Sequence, residues 1–162
     1  MRAFERELLT LLPRLRRFAR ALAHNSADAD DLLQVALERA LKAREQWMPG
    51  TRLDAWMMRI VRNCWIDEMR SRTRRARTFA PEEDGEMIGV DMQHEIEAKA
   101  EMHAVDRAMA NLSPEQREVI ALVLVEGLAY REAAALLDIP MGTLTSRLTR
   151  GRQALVQMLE AA

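Results

Sequence analysis

The chain has 162 residues, of which 49% are hydrophobic, 4% aromatic and 30% charged, and its formal net charge at pH 7 is −1. It has no run of about 18 uncharged apolar residues, and its N-terminus is charged every few residues. The sequence therefore predicts neither a transmembrane helix nor a signal peptide. Its lone cysteine, Cys64, excludes a disulfide framework and fits a reducing cytoplasm. The composition favours helices packed on helices.

Apolar residues recur at helical spacing from Glu5 to His24, which predicts the first helix. Pro13 lies inside this pattern, where it either kinks the helix or marks its true beginning. Four arginines lie on the other side of the helix and are expected to be solvated: Arg14, Arg16, Arg17 and Arg20.

A second helix is predicted from Asn25-Ser26, which offer an N-cap, to about Trp47. Carboxylates suit the positive end of a helix, so the dipole explains Asp28, Asp30 and Asp31 better than a metal site does. An apolar stripe comprises Leu33, Leu37, Ala40 and Leu41. A polar stripe is either solvated or a protein-docking face, and comprises Asp31, Gln34, Glu38 and Lys42.

Met48-Pro49-Gly50 ends this pattern, and residues 51–54 are typical of a capping box that begins a third helix near Arg52. Its core stripe is predicted to be Leu53, Met57, Ile60, Val61 and Cys64. The opposite face carries Arg52, Arg59, Asn63, Ile66 and Arg70, flanked by Arg62 and Asp67. Arginine contacts phosphates and asparagine reads base edges, so this face is a candidate DNA-binding surface. Trp56 and Trp65, at its borders, are expected to pack in the core.

The charge is unevenly distributed along the chain. Residues 52–77 contain eight arginines against three acids, whereas residues 82–101 contain eight acids against Lys99 alone. Residues 78–93 also lack helical periodicity and contain Pro81, Gly85 and Gly89. This pattern indicates a DNA-facing helix followed by an acidic interdomain linker.

Helical periodicity returns at Ile96, Met102, Val105 and Met109. Ser113, Pro114 and Gln116 then form a strong helix-start signal. Val119, Ile120, Leu122, Val123 and Leu124 are predicted to fill this helix, which ends at Gly127.

Residues 128–155 have the pattern of a helix-turn-helix. A short apolar helix from Tyr130 to Leu137 precedes a turn at residues 138–140, and a second helix starts near Gly142-Thr143. The second helix of such a motif enters the DNA major groove. Asp138 takes the turn position usually held by glycine, and aspartate tolerates left-handed backbone better than most residues. Three leucines would hold the second helix to the core: Leu144, Leu148 and Leu155.

These elements predict an all-α fold with two small helical domains, residues 1–77 and 95–162, joined by a flexible acidic linker, residues 78–94. His24, His94, His103 and Cys64 are scattered, and neither HExxH, CxxC nor a glycine-rich phosphate loop occurs. We therefore expect no catalytic site, cofactor or metal.

Three segments in this order resemble the extracytoplasmic-function (ECF) group of bacterial RNA polymerase sigma factors, which keep only sigma regions 2 and 4. Residues 28–47 resemble the polymerase-docking helix of region 2.2, and residues 51–75 resemble regions 2.3 and 2.4, which read the promoter −10 element. Residues 112–155 resemble region 4, which reads the −35 element. The resemblance implies a cytoplasmic protein, monomeric when free, that binds core polymerase, promoter DNA and an anti-sigma factor.

The resemblance also implies roles for individual residues. Those on the polymerase-docking helix are Asp31, Leu32, Gln34, Leu37 and Arg39. Those at the −10 element are Arg59, Ile60, Arg62, Asn63, Asp67 and Arg70, beside a loop at residues 43–50 that holds a flipped base. Those at the −35 element are Thr143, Ser146, Arg147, Thr149 and Arg150.

The chain departs from the family pattern at a few positions. Val35 follows Gln34 where an acid is common, Thr145 stands where a basic residue is frequent, and Val123-Leu124 replaces a commonly basic pair. The last two changes leave the −35 sequence preference open.

Two other functions would account for parts of the sequence. A stand-alone helix-turn-helix regulator would need a dimerisation or receiver segment, but residues 1–77 show no alternating strand and helix pattern. A regulatory module that only mimics a sigma factor would need the docking helix but not Arg59, Asn63 and Arg70. The sigma-factor interpretation accounts for both the helices of residues 1–77 and the C-terminal helix-turn-helix.

Overall fold

The computed structural model describes residues 2–23, 25–78 and 97–161, with only the backbone described at residues 97–103. Its helices are α1 (Ala3–Leu22), α2 (Ser26–Lys42), α3 (Leu53–Thr78), α4 (Glu97–Ala110), α5 (Pro114–Ile120), α6 (Tyr130–Leu137) and α7 (Met141–Ala161). The described residues contain no β-strand, which confirms the predicted all-α class. The predicted linker, apart from Thr78, lies outside them.

Helices α1, α2 and α3 form an N-terminal half, residues 2–78, in which each helix packs against the other two. Leu15, Phe18, Met57 and Val61 are fully buried between them. Helix α1 begins at Ala3 and ends at Leu22, and Pro13 lies within it on the exposed side. The first helix therefore begins well before Pro13, which does not mark its start.

Helix α2 begins as predicted but ends early. The side chain of Asn25 accepts a hydrogen bond from the Asp28 backbone N–H at 2.8 Å, which confirms the N-cap. The α-helix ends at Lys42 rather than near Trp47, and a 3-10 helix, Arg44–Gln46, follows it. Leu41, predicted on the apolar stripe, is 39% exposed because the helix terminates beside it.

The predicted capping box at residues 51–54 is wrong. Thr51 Oγ1 donates to the Met48 carbonyl at 2.6 Å, and the Asp54 carboxylate binds the Arg52 guanidinium at 2.8 Å. The charge-assisted bond to Arg52 competes with the capping role, so α3 begins at Leu53. From there α3 runs 26 residues and includes the basic segment 70–77. Trp65 is buried and Trp56 packs edge-on against Phe4, which confirms that both belong to the core.

Helix α5 begins with the predicted capping box, since Ser113 and Gln116 exchange side-chain to backbone hydrogen bonds. Beyond Ile120 the chain continues as a π-helix, Ala121–Val125, and reaches Gly127 at a φ of +73°. The wider π turn rotates its residues relative to an α-helix. Leu124, predicted to fill the helix interior, is consequently 46% exposed.

Helices α6 and α7 form the predicted helix-turn-helix. Asp138 ends α6 in the left-handed conformation at a φ of 57° and a ψ of 49°. Helix α7 begins at Met141, just before the predicted Gly142-Thr143, and buries Leu144 and Leu148. Together with α4 and α5 these helices make the C-terminal half, residues 97–161.

The two halves are in direct contact. Helix α1 packs against α4, α5 and the π-helix, while α3 packs against α6. Buried apolar residues of both halves form one continuous core cluster. We call this the closed arrangement.

Candidate nucleic-acid and polymerase interfaces

The residues predicted to read the −10 element lie along about three turns of α3. Arg59, Asn63 and Arg70 are exposed, as is Asp67. Arg62 and Ile60 are half-buried. Helix geometry brings Arg59, Asn63 and Arg70 to one face with Asp67 and Arg62 at its flanks, as the periodicity predicted, and Ile60 lies on the side of the core stripe.

Two residues of this set, Arg59 and Arg62, contact the C-terminal half. Arg62 Nε donates to Glu118 Oε1 at 2.8 Å, and the Glu118 side chain is only 4% exposed. Arg59 Nη2 donates to the Ala135 carbonyl of α6 at 3.2 Å. Two of the predicted DNA contacts are therefore occupied by protein groups.

Arginines of α1 also contact the C-terminal half. Arg17 Nε lies 3.1 Å from Glu126 Oε2, and Arg14 Nε lies 3.3 Å from Glu126 Oε1. Arg20 pairs with Asp106 at 3.0 Å. Arg17 is 54% exposed, as expected for a solvated face, but α4 and the end of the π-helix place carboxylates against all three arginines, and Arg14 and Arg20 are only 34% and 38% exposed.

Arg16 is 68% exposed, and its ion pair within the described residues, at 4.0 Å, is with Asp30 of the same half. A pattern in the sequence distinguishes them: Arg14, Arg17 and Arg20 are three apart and share a face, whereas Arg16 does not. Within the described residues, every ion pair between the halves joins an arginine of the N-terminal half to a carboxylate of the C-terminal half.

Arg117 is a buried cation that sequence reasoning missed. Its guanidinium donates to the Leu22 carbonyl at 3.1 Å and to the Ala110 carbonyl at 2.8 Å, the last residues of α1 and α4. It also donates to the Leu112 carbonyl and lies 5.7 Å from the Trp65 ring centroid. Burial lowers its pKa. The negative ends of two helix dipoles stabilise this charge in place of a carboxylate.

The −35 candidates lie on α7 away from its buried leucines. Thr149 and Arg150 are exposed, and Thr143, Ser146 and Arg147 are half-exposed. In the part of the chain that the structure describes, none of these five side chains makes a hydrogen bond or ion pair. This face of α7 is open to solvent.

Comparison with known proteins decides the family. Residues 8–75 match the model of sigma-70 region 2, and residues 102–155 match that of sigma-70 region 4. The chain is 34% identical over 154 residues to the ECF RNA polymerase sigma factor EcfG of Rhodopseudomonas palustris, a match that covers 94% of this chain and 83% of that protein.

The chain belongs to the ECF sigma factors. It is 31% identical to the RNA polymerase sigma factor CarQ of Myxococcus xanthus, over 97% of this chain and 89% of that one. Its activity is that of its family: it binds core RNA polymerase and promoter DNA and initiates transcription.

A solved structure resembles the whole sigma factor. The co-crystal structure of the sigma factor RpoE with the anti-sigma factor NepR from Bartonella quintana matches with a TM-score of 0.81 at 32% identity, covering 99% of this chain and 98% of that one. Because the fit includes both halves, their closed arrangement resembles that of the bound sigma factor.

Three of the predicted docking residues, Asp31, Leu32 and Arg39, line a groove of about 360 Å³ between α2 and α3, whereas Gln34 and Leu37 lie outside it. Asp31 and Gln34 are exposed, Leu37 is half-buried, and Leu32 is 8% exposed and part of the core. Leu32 therefore forms the floor of the groove. Arg39 Nη1 binds Asp67 Oδ2 at 3.0 Å across it, which joins the docking set to the −10 set. The Cys64 thiol also lines the groove, and burial raises its pKa.

The loop at residues 43–50 is anchored by aromatic packing. Trp47 is half-buried with its ring centroid 5.7 Å from that of Phe4, whereas Met48 is 68% exposed. Within the described ranges, no helix is long and apolar enough to cross a bilayer. Those ranges also hold no cluster of His, Cys, Asp or Glu that could bind a metal ion.

Proposed function

We propose that this sigma factor docks on core RNA polymerase through the exposed side of α2 and the groove beside it. Asp31 and Gln34 supply polar contacts, Arg39 lies at the rim of the groove, and Leu37 and Leu32 supply apolar surface. The charged and apolar lining of the groove supports a protein partner, since a helix can pack its apolar side against Leu32 and Val35.

We further propose that α3 captures the −10 strand and α7 reads the −35 duplex. Arg59, Arg62 and Arg70 would contact phosphates, while Asn63 reads a base edge beside Ile60 and Asp67. Thr143, Ser146, Arg147, Thr149 and Arg150 would face the major groove. The observation that carries this proposal is the match to region 2 and region 4 in family order, with both faces present on one chain.

The closed arrangement implies a conformational step before promoter reading. Arg62 and Arg59 are bound to Glu118 and to the Ala135 carbonyl. The halves, for which we propose domain bounds of 1–77 and 95–162, would separate on the polymerase around the linker at 78–94. Holding both DNA-binding faces on one polymerase raises their effective concentration, so each face is expected to bind weakly alone.

An anti-sigma factor would hold this protein in the closed arrangement. Support comes from the likeness to RpoE in complex with NepR at 32% identity over nearly the whole chain. A partner that binds only the closed state stabilises it at the expense of the open one. The protein itself would do no covalent chemistry and would act as a monomer in the cytoplasm.

Reconstitution with core RNA polymerase tests the proposal. The purified chain should bind core polymerase and direct run-off transcription from fragmented genomic DNA, with transcripts that share two upstream elements. Binding without transcription would instead indicate a module that mimics a sigma factor. A chain that binds DNA but not polymerase would be a stand-alone helix-turn-helix regulator.

Single substitutions separate the two interfaces. Asn63→Ala removes an exposed amide and should depress open-complex formation while leaving affinity for core polymerase unchanged. Asp31→Arg should weaken core binding, whereas the neighbouring Asp30→Arg should not, because Asp30 lies outside the docking groove. Equal effects of the two charge reversals would rule out the docking assignment.

A further inference from the structure

Three arginines of α1 form a basic row that has no role in the functions assigned above. Arg14, Arg17 and Arg20 lie on one side of the helix and face the C-terminal half. Arg14 Nη1 also lies 3.1 Å from Asp54 Oδ2, and Asp54 binds Arg52. The row therefore continues onto the N-terminal end of α3, where the face proposed to bind the −10 strand begins.

The groups that fill this row chemically resemble a phosphate backbone. Arg17 presents Nε and Nη2 to the two oxygens of Glu126 at 3.1 and 3.3 Å, a forked arrangement that suits carboxylate and phosphate alike. The Glu126 side chain is 0% exposed, whereas Asp106 and Glu132 are partly exposed and bind Arg20 and Arg52 through one oxygen each. The C-terminal half thus places three carboxylates, those of Glu126, Asp106 and Glu132, next to these arginines.

We propose that Arg14, Arg17 and Arg20 bind the phosphate backbone of single-stranded promoter DNA, and that Glu126 and Asp106 occupy the same guanidinium groups in the closed arrangement. DNA and the C-terminal half are then alternative ligands of one surface. Separation of the two halves exposes the row, and a bound DNA strand then prevents the C-terminal half from binding the same arginines again.

Continuity favours DNA over an acidic protein as the partner. The docking groove between α2 and α3 is lined by other residues, so polymerase binding there leaves the row accessible. A strand lying along Arg59 and Arg62 would reach the row through Arg52 at the start of the same helix. Phosphate contacts do not depend on sequence, so they add affinity along the whole path.

The inference rests on the proposed function only for the identity of the strand, and a polymerase-free assay tests it separately. The probe is a fluorescein-labelled single-stranded oligothymidylate, and its affinity for the full chain is measured by anisotropy over a range of salt concentrations. Glu126→Gln frees Arg14 and Arg17 and should raise the affinity several-fold over that of the wild type.

The decisive comparison is made in the Glu126→Gln background. Adding Arg17→Gln should lower the affinity and reduce the slope of log affinity against log salt by about 0.7, the value for one single-strand phosphate contact. Arg17→Lys should keep the slope, because it keeps the charge. Arg16→Gln is the matched control on the same helix and should change neither quantity, since Arg16 is exposed outside the row.

Two results would overturn the proposal. If Arg17→Gln leaves the affinity and the salt slope unchanged in the Glu126→Gln background, as Arg16→Gln does, the pairs only hold the halves together. Loss of core-polymerase binding by Arg14→Gln and Arg17→Gln with unchanged affinity for the oligonucleotide would assign the row to an acidic protein. Circular dichroism of each variant checks the fold, and run-off transcription by the wild type reports on the proposed function independently.

Discussion

Arg62 of α3 and Glu118 of α5 form an ion pair across the two halves, with Arg62 Nε donating to Glu118 Oε1 at 2.8 Å. The Glu118 side chain is 4% exposed, whereas the Arg62 side chain is 25% exposed. The pair fixes a proposed −10 contact against the C-terminal half. Promoter binding through Arg62 therefore requires this pair to break.

The two partners should not contribute equally to stability. Arg62→Ala leaves the Glu118 carboxylate buried without its partner, which is expected to lower the free energy of unfolding by about 3 kcal/mol. Glu118→Gln should lower the free energy of unfolding by less, because the freed Arg62 can reach water. Urea denaturation followed by circular dichroism measures the free energy of unfolding of both variants. The double variant should recover part of the loss, and equal losses in the two single variants would show that Glu118 is hydrated in solution.

Asp54 should make stability depend on acid pH. The hydrogen bond from Arg52, with further bonds from the Ala55 N–H and Arg14, lowers the pKa of its carboxyl to about 2. A depressed pKa in the folded state adds stability at pH values above the unfolded value of 3.8, and that stability is lost as the pH falls toward 2. The stability difference between the wild type and Asp54→Asn should therefore shrink between pH 5 and pH 2, as measured by urea denaturation at each pH.

The matched control for this titration is Asp30→Asn. Asp30 is 65% exposed and 4.0 Å from Arg16, so its replacement should change stability little at any of these pH values. A constant difference between wild type and Asp54→Asn over the same range would contradict the assigned proton linkage.

Arg117 should be essential to the closed arrangement. Arg117→Met fills similar space but removes the donors to the carbonyls of Leu22, Ala110 and Leu112. Leaving these carbonyls unpaired is expected to cost about 3 kcal/mol of the free energy of unfolding. Arg117→Lys should be intermediate, since an ammonium keeps the charge but lacks the planar fork.

Arg131→Met is the control for this substitution, because Arg131 is exposed on α6. Thermal denaturation should give a clear drop in Tm for Arg117→Met and almost none for Arg131→Met. Similar Tm values for the two would mean that the guanidinium contributes nothing to the contact between the halves.

The accuracy of the sequence predictions follows the range of the interactions involved. The Ser113 capping box and the Asp138 turn were predicted correctly, because side chains within a few residues determine both. The capping box at residues 51–54 failed because Arg52 and Arg14 compete for Asp54. The ion pair of Arg17 was not predicted, because its partner, Glu126, is far away in the chain. For the candidate site, periodicity predicted which residues share a face on α3 and on α7. It did not predict that α5 and α6 contact the face on α3.

The two glycines of α7 provide a test of the packing against α5. A Cβ added at Gly151 would lie 3.1 Å from Ile120 Cγ1 and 3.3 Å from Gln116 Cβ, whereas one added at Gly142 meets no atom within 4 Å. Ile120 is 1% exposed and has little room to move, so Gly151→Ala should lower Tm despite its better helix propensity. Gly142→Ala should be neutral or raise stability by up to about 1 kcal/mol. An equal gain in both variants would show that α5 and α7 lie further apart in solution than in the structure.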